Sequence, residues 1–124
     1  MDHSAWARDR IKTLICGIPD TAAAIKGSSI KVSGDAETVM LRGKRKQICD
    51  FTVEFDWSAT ADGTLLEGQL TVNDVTADKD YEFSRVYPKF SSPKQKDTAT
   101  KRIDTLQLTV KDALDTFFEE FGAK

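Results

Sequence analysis

Apolar residues recur along this chain with two different periods, and each change of period marks an element. From about Ala5 to Cys16, the positions Ala7, Ile11, Leu14 and Ile15, continued by Ile18, fall at helical spacing and give a helix one apolar stripe. Ser4 is the candidate N-cap, and Gly17 and Pro19 are stop signals. Trp6 either joins the stripe or closes over a sheet edge. The period then falls to two. Ile30 and Val32 alternate with Lys31 and Ser33, Gly34-Asp35 interrupts, and Ala36 to Leu41 continues. Cys49, Phe51, Val53, Phe55 and Trp57 alternate strictly with Asp50, Thr52, Glu54 and Asp56, which predicts a strand with one apolar and one wet face. Ala61-Asp62-Gly63 carries the Asp-Gly hairpin signal, and Leu66, Gly68, Leu70 and Val72 resume the alternation. A turn from Asn73 to Asp80 leads into a fourth strand at Tyr81-Glu82-Phe83.

Between Tyr87 and Lys96 the pattern dissolves into prolines, serines and lysines, which predicts a loop. From about Ala99 to Phe121, the positions Ile103, Leu106, Val110, Ala113, Leu114, Phe117 and Phe121 step by threes and fours. Asp97 or Thr98 can cap this helix, and Gly122 ends it. The expected fold is therefore α+β. An N-terminal helix, a four-stranded antiparallel meander and a long C-terminal helix form two layers, with Phe117, Leu114 and Val110 packed on Phe51, Val53 and Phe55. At 124 residues the chain reads as one domain, 1–124.

Composition narrows the chemistry. A 40% hydrophobic and 31% charged chain has enough apolar surface to fold and too much charge to be a membrane protein. It contains no apolar run near the roughly 20 residues that span a bilayer, and Met1-Asp2-His3-Ser4 lacks the order of a secretory signal. Two cysteines and one histidine remove most metal chemistry, with His3 the only histidine available to complete a zinc shell. Cys16 and Cys49 form no Cys-x-x-Cys pair, and Cys49 falls on an apolar strand face, where a thiol packs as a small hydrophobe. Thiols in a chain without an export signal fit the cytosol. A triad mechanism using histidine would have to recruit His3, near the end of the chain. Asp50, Glu54 and Asp56 read as a solvated strand face, and the scattered glycines match no phosphate loop or dinucleotide fingerprint. The expectation is a non-enzyme with no catalytic residue, metal, cofactor or small-molecule substrate.

Charge singles out one place. Arg42, Lys44, Arg45 and Lys46 surround Gly43, whereas the whole chain carries −2. Glycine there fits a tight turn, so the cations project from a hairpin tip on an otherwise acidic body. Three readings are open at this point. The cluster is a solvated turn that keeps a strand edge from pairing, a contact for nucleic acid or anionic lipid, or a docking tip for an acidic protein partner. The absence of interleaved aromatics and of an overall basic surface argues against nucleic acid.

The run Val32-Ser33-Gly34-Asp35-Ala36-Glu37, then Arg42-Gly43-Lys44, then Asp50-Phe51-Thr52-Val53-Glu54-Phe55-Asp56-Trp57 resembles the N-terminal domain of the activators of heat-shock protein 90 ATPase. Trp6-Ala7-Arg8-Asp9-Arg10-Ile11-Lys12-Thr13-Leu14 is similar to that domain's first helix. The resemblance spans about Trp6 to Phe121. It implies a cytoplasmic, monomeric cochaperone of stress response and protein folding, which docks on the middle segment of heat-shock protein 90 and accelerates its ATP hydrolysis. Arg42 and Lys44 would be contact residues, supported by Arg45 and Lys46, with Gly43 setting the turn. The alternative is a general binding module whose basic tip meets nucleic acid or anionic membrane. The family's tip reads Arg-Lys-x-Lys where this chain has Leu41, Arg42, Gly43 and Lys44, so Leu41 stands in place of the first basic residue. The family's Asn- and Trp-rich leading segment has no counterpart before Trp6, nor has the second domain of its longer members after Phe121. The chain thus reads as a short single-domain relative or an excised domain.

Overall fold

The alternation that begins at Cys49 continues well past Trp57, and the strand it builds organises the rest of the molecule. A computed structural model describes residues 2–19, 23–61, 63–76 and 78–122. Helix α1 covers Ser4–Cys16, followed by strands β1 (Ala24–Ile25), β2 (Lys31–Leu41), β3 (Lys44–Ala61), β4 (Thr64–Val75) and β5 (Glu82–Val86), and helix α2 covers Pro93–Gly122. Strands β2 to β5 form the expected antiparallel meander. The sheet also takes in β1, which pairs with β3 through Ala24↔Ser58 and Ile25↔Trp57, so it has five strands and not four. Two residues carry no readable period, so this strand exists only through its partner.

One face of the sheet is covered. Cys49, Phe51, Val53, Phe55, Trp57, Ala59 and Ala61 of β3 are all buried, alternating with open-face residues. On α2, Ile103, Leu106, Val110, Leu114, Phe117 and Phe121 are buried against them. Phe117 meets Phe51 edge-on at 6.1 Å, and Trp6 of α1 stacks on Phe117 at 5.7 Å. Trp6 therefore packs between helix and helix rather than over a sheet edge. Arg10 closes the helix pair by donating to Glu120 at 2.9 Å.

Three helix-end readings are corrected. Ser4 is the first helical residue and not the cap. The Asp2 carboxylate accepts the Ser4 N–H at 2.8 Å, while Ser4 Oγ accepts from Ala36 N at 3.0 Å and donates to Ala36 O at 3.2 Å. Helix α2 starts at Pro93, six residues before the expected Ala99, so neither Asp97 nor Thr98 caps it. Ser92 Oγ accepts the Gln95 N–H at 3.2 Å, and Gln95 Oε1 accepts the Ser91 N–H at 2.7 Å. Proline is favoured at the first helical position because its missing N–H has no partner there anyway. The expected loop from Tyr87 to Lys96 therefore ends at Ser92. Gly34-Asp35 does not interrupt β2 either, since both lie within the strand. Asp62 of the expected Asp-Gly turn lies outside the described residues, and Gly63 beside it has φ 76°.

Candidate functional site

The basic cluster sits on the hairpin between β2 and β3, and its geometry follows from the two residues that turn the chain. Arg42 and Gly43 link β2 to β3 with φ of 53° and 76°. Positive φ at both central residues marks the hairpin turn whose twist matches the flanking strands. Glycine adopts it without strain, whereas an arginine in the left-handed region costs roughly 1–2 kcal/mol.

The register then decides which way each side chain points. Leu41↔Lys44, Met40↔Arg45, Val39↔Lys46, Glu37↔Ile48 and Ala36↔Cys49 are paired. Ala36 and Cys49 are buried under the helices. Alternation places Met40 and Arg45 on that same helix side, and Leu41, Lys44, Val39, Lys46, Glu37 and Ile48 on the open side. Lys46 thus shares a face with Lys44, while Arg45 faces the other way.

Beyond the Ala36–Cys49 rung no described hairpin side chain is buried, so the ribbon projects about 17 Å past the core, at about 3.3 Å per residue. Arg42, Gly43, Lys44, Arg45 and Lys46 are all exposed. Three large apolar side chains accompany them, Met40 at 67% exposure, Leu41 at 53% and Ile48 at 49%. The reading of the sequence missed these. The signal was there: Val39-Met40-Leu41 and Ile48-Cys49 break the period of two, so at least one apolar residue in each run must face water.

The base of the ribbon is held firmly. His3 N–H donates to Ala36 O at 2.9 Å, Arg8 Nη1 donates to Gly34 O at 2.8 Å, and Asp2 bridges to Glu37. These contacts and the Ser4 hydroxyl occupy outward-facing backbone groups on the β2 edge, which would otherwise invite another strand. On the other side of β3, Asn73 and Asp74 face the single residue Thr52, and Asp74 has φ 56°, a bulge that bends β4.

Elsewhere the chemistry is sparse. Among the described residues no three His, Cys, Asp or Glu side chains come together to hold a metal ion. Cys16 is exposed on α1 and Cys49 buried on β3. A groove of about 680 Å³ lies on the open face far from the tip, with Lys26, Asp56, Ser58, Glu67, Gln69 and Val86 in its lining. Its polar members are the wet side of the alternating strands. Among the described residues no helix is long and apolar enough to cross a membrane.

The family model described as "Activator of Hsp90 ATPase, N-terminal" matches residues 1–124. No curated protein matches the sequence significantly. Among solved structures, the chain is similar to the solution structure of the human Aha1 N-terminal domain. The TM-score is 0.65 at 18% identity, covering 96% of this chain and 92% of that one. It is also similar to the crystal structure of Aha-1 from Plasmodium falciparum, with TM-score 0.73 at 16% identity, covering 98% and 86% respectively. At these identities the two structures establish the fold.

Proposed function

The chain belongs to the activator of Hsp90 ATPase N-terminal family, and from that premise we propose that it is a cochaperone which docks on the middle segment of heat-shock protein 90 through its basic hairpin. Docking would speed the chaperone's ATP hydrolysis, with no turnover by the chain itself. It would act as a monomeric single domain in the cytoplasm. One observation carries this reading: four exposed cations stand on a ribbon that projects past the core. Exposed charges of that kind steer encounter with an acidic partner and set its register. Arg42 at the apex and Lys44 on the open face are the proposed contact residues, Lys46 supports Lys44, and Arg45 reaches the opposite side.

The test is a double substitution, Arg42→Ala with Lys44→Ala. Stability should stay within about 0.5 kcal/mol of the parent, as for ordinary surface changes. Affinity for the purified middle segment should fall by roughly 1–3 kcal/mol, and parent binding should weaken as salt rises. Unchanged affinity and unchanged stimulation would reduce the tip to a solvated turn. Salt-sensitive retention on DNA or anionic vesicles, without chaperone binding, would favour the general binding module.

A further inference from the structure

A strand ribbon that docks flat on a partner needs apolar side chains on one broad face only. This one exposes them on both. Met40 stands on the helix side at 67% exposure, Leu41 and Ile48 on the open side at 53% and 49%. Neither helix reaches out to cover Met40, because the last buried rung is Ala36–Cys49. The cations are divided in the same way. Three of the four lie directly across the ribbon from an apolar residue, Arg45 from Met40 on one face, Lys44 from Leu41 and Lys46 from Val39 on the other, and Arg42 sits in the turn. Long cationic side chains lay their methylene stems along apolar neighbours and keep the charged head at the rim. Each face therefore presents an apolar centre with a positive margin. Native chains usually blunt an exposed strand ribbon with charged residues, and here the charges are accompanied by uncovered apolar side chains on both sides.

From this arrangement we infer that the hairpin enters a cleft and is held between two walls. The inference rests on the docking reading above and concerns what kind of surface receives the tip. Complementarity specifies the cleft: apolar walls, each packed against one face of the ribbon, and carboxylates at the lips to meet Lys44 and Lys46 on one side and Arg45 on the other. Arg42 at the apex goes in first. The type of turn suits insertion, since a two-residue connection leaves the tip no wider than the ribbon itself.

The experiment compares the two faces in the full chain against purified full-length heat-shock protein 90. Met40→Ser changes the helix side alone and Ile48→Ser the open side alone, and neither residue is buried. Each should weaken binding about tenfold, as loss of a buried apolar side chain does, with unchanged melting. A photo-crosslinking residue at position 40 and another at position 48 should attach to two different segments of the chaperone. Weakening by Ile48→Ser with parental affinity for Met40→Ser overturns the cleft and leaves flat docking intact. Parental affinity for both variants, with loss in the Arg42→Ala, Lys44→Ala double variant, confines contact to the apex and also overturns it. Cross-links joining two copies of this chain would assign the apolar faces to self-association, and the cleft is overturned in that case too. If the double variant also binds like the parent, the docking reading itself fails.

Discussion

Gly34 lies so close to Asp50 that a β-carbon built on it would stand 2.0 Å from the Asp50 carbonyl oxygen and 2.9 Å from Cα of Phe51. Its φ of +123° is open to glycine and hardly to any other residue. The two strands of the hairpin thus approach where the ribbon leaves the core, and Arg8 donates to the Gly34 carbonyl at 2.8 Å.

Gly34→Ala should for that reason be strongly destabilising. Both the strained backbone and the clash with backbone atoms act together, so a loss of at least about 2 kcal/mol is expected. Urea unfolding followed by tryptophan fluorescence measures it. A variant as stable as the parent would mean that β2 and β3 can separate here at little cost.

Arg42→Asn separates fold from function at the apex. Asparagine tolerates the left-handed region far better than arginine and forms the favoured Asn-Gly turn. The variant should gain about 0.5–1 kcal/mol in stability while stimulating the chaperone less. Loss of stability would show that the guanidinium supports the hairpin, contrary to its exposure.

Leu41→Arg adds the cation that the resemblance to the family implies for this position. Leu41 is paired with Lys44 on the open side and is 53% exposed, so stability should change by no more than about 0.5 kcal/mol. Stimulation of the chaperone should rise, most at low salt, where exposed charges are least screened. Steady-state ATPase assays at two ionic strengths test this, and an unchanged rate would mean that the missing contact cannot be made from this register.

Tyr81 ties the β4–β5 connection to α2. Its hydroxyl donates to Asp115 Oδ1 at 2.8 Å, and its ring stacks on Phe118 at 6.2 Å. Burial first, then the hydrogen bond and the negative charge of Asp115, push the phenol well above its ordinary value of 10.0. A raised acid group contributes stability that is fully present below the unfolded value and declines above it as the unfolded chain releases its proton. Stability should therefore hold through neutral pH and fall above about pH 10. Tyr81→Phe should make that alkaline decline shallower, read as denaturation midpoints between pH 8 and 11. An unchanged slope would assign the decline to other groups.

The strand from Cys49 to Trp57 and the helix carrying Ile103 to Phe121 were legible because their periods come from local backbone geometry. A strand turns its side chains over every second residue and a helix brings every third or fourth to one face, whatever packs against them. The basic tip was legible for a similar reason, since four cations around a glycine between two strands need no distant partner to be recognised. The start of α2 was also within reach, for Ser92-Pro93-Lys94-Gln95 combines a capping serine, a first-turn proline and a glutamine three residues on. What the tertiary structure alone decided depends on where separate elements stop. Ser4 is bound by Ala36, thirty-two residues away in the chain, so its hydroxyl turns to the β2 edge, and its N–H is taken by the Asp2 carboxylate. β1 is a strand only because Trp57 and Ser58 lie beside it. Met40 and Arg45 point to the same side as Phe51, a parity that could be counted, yet that side is covered at Cys49 and bare at Met40 because neither helix extends over the tip. Burial is a property of what lies opposite, and no period along one strand records it.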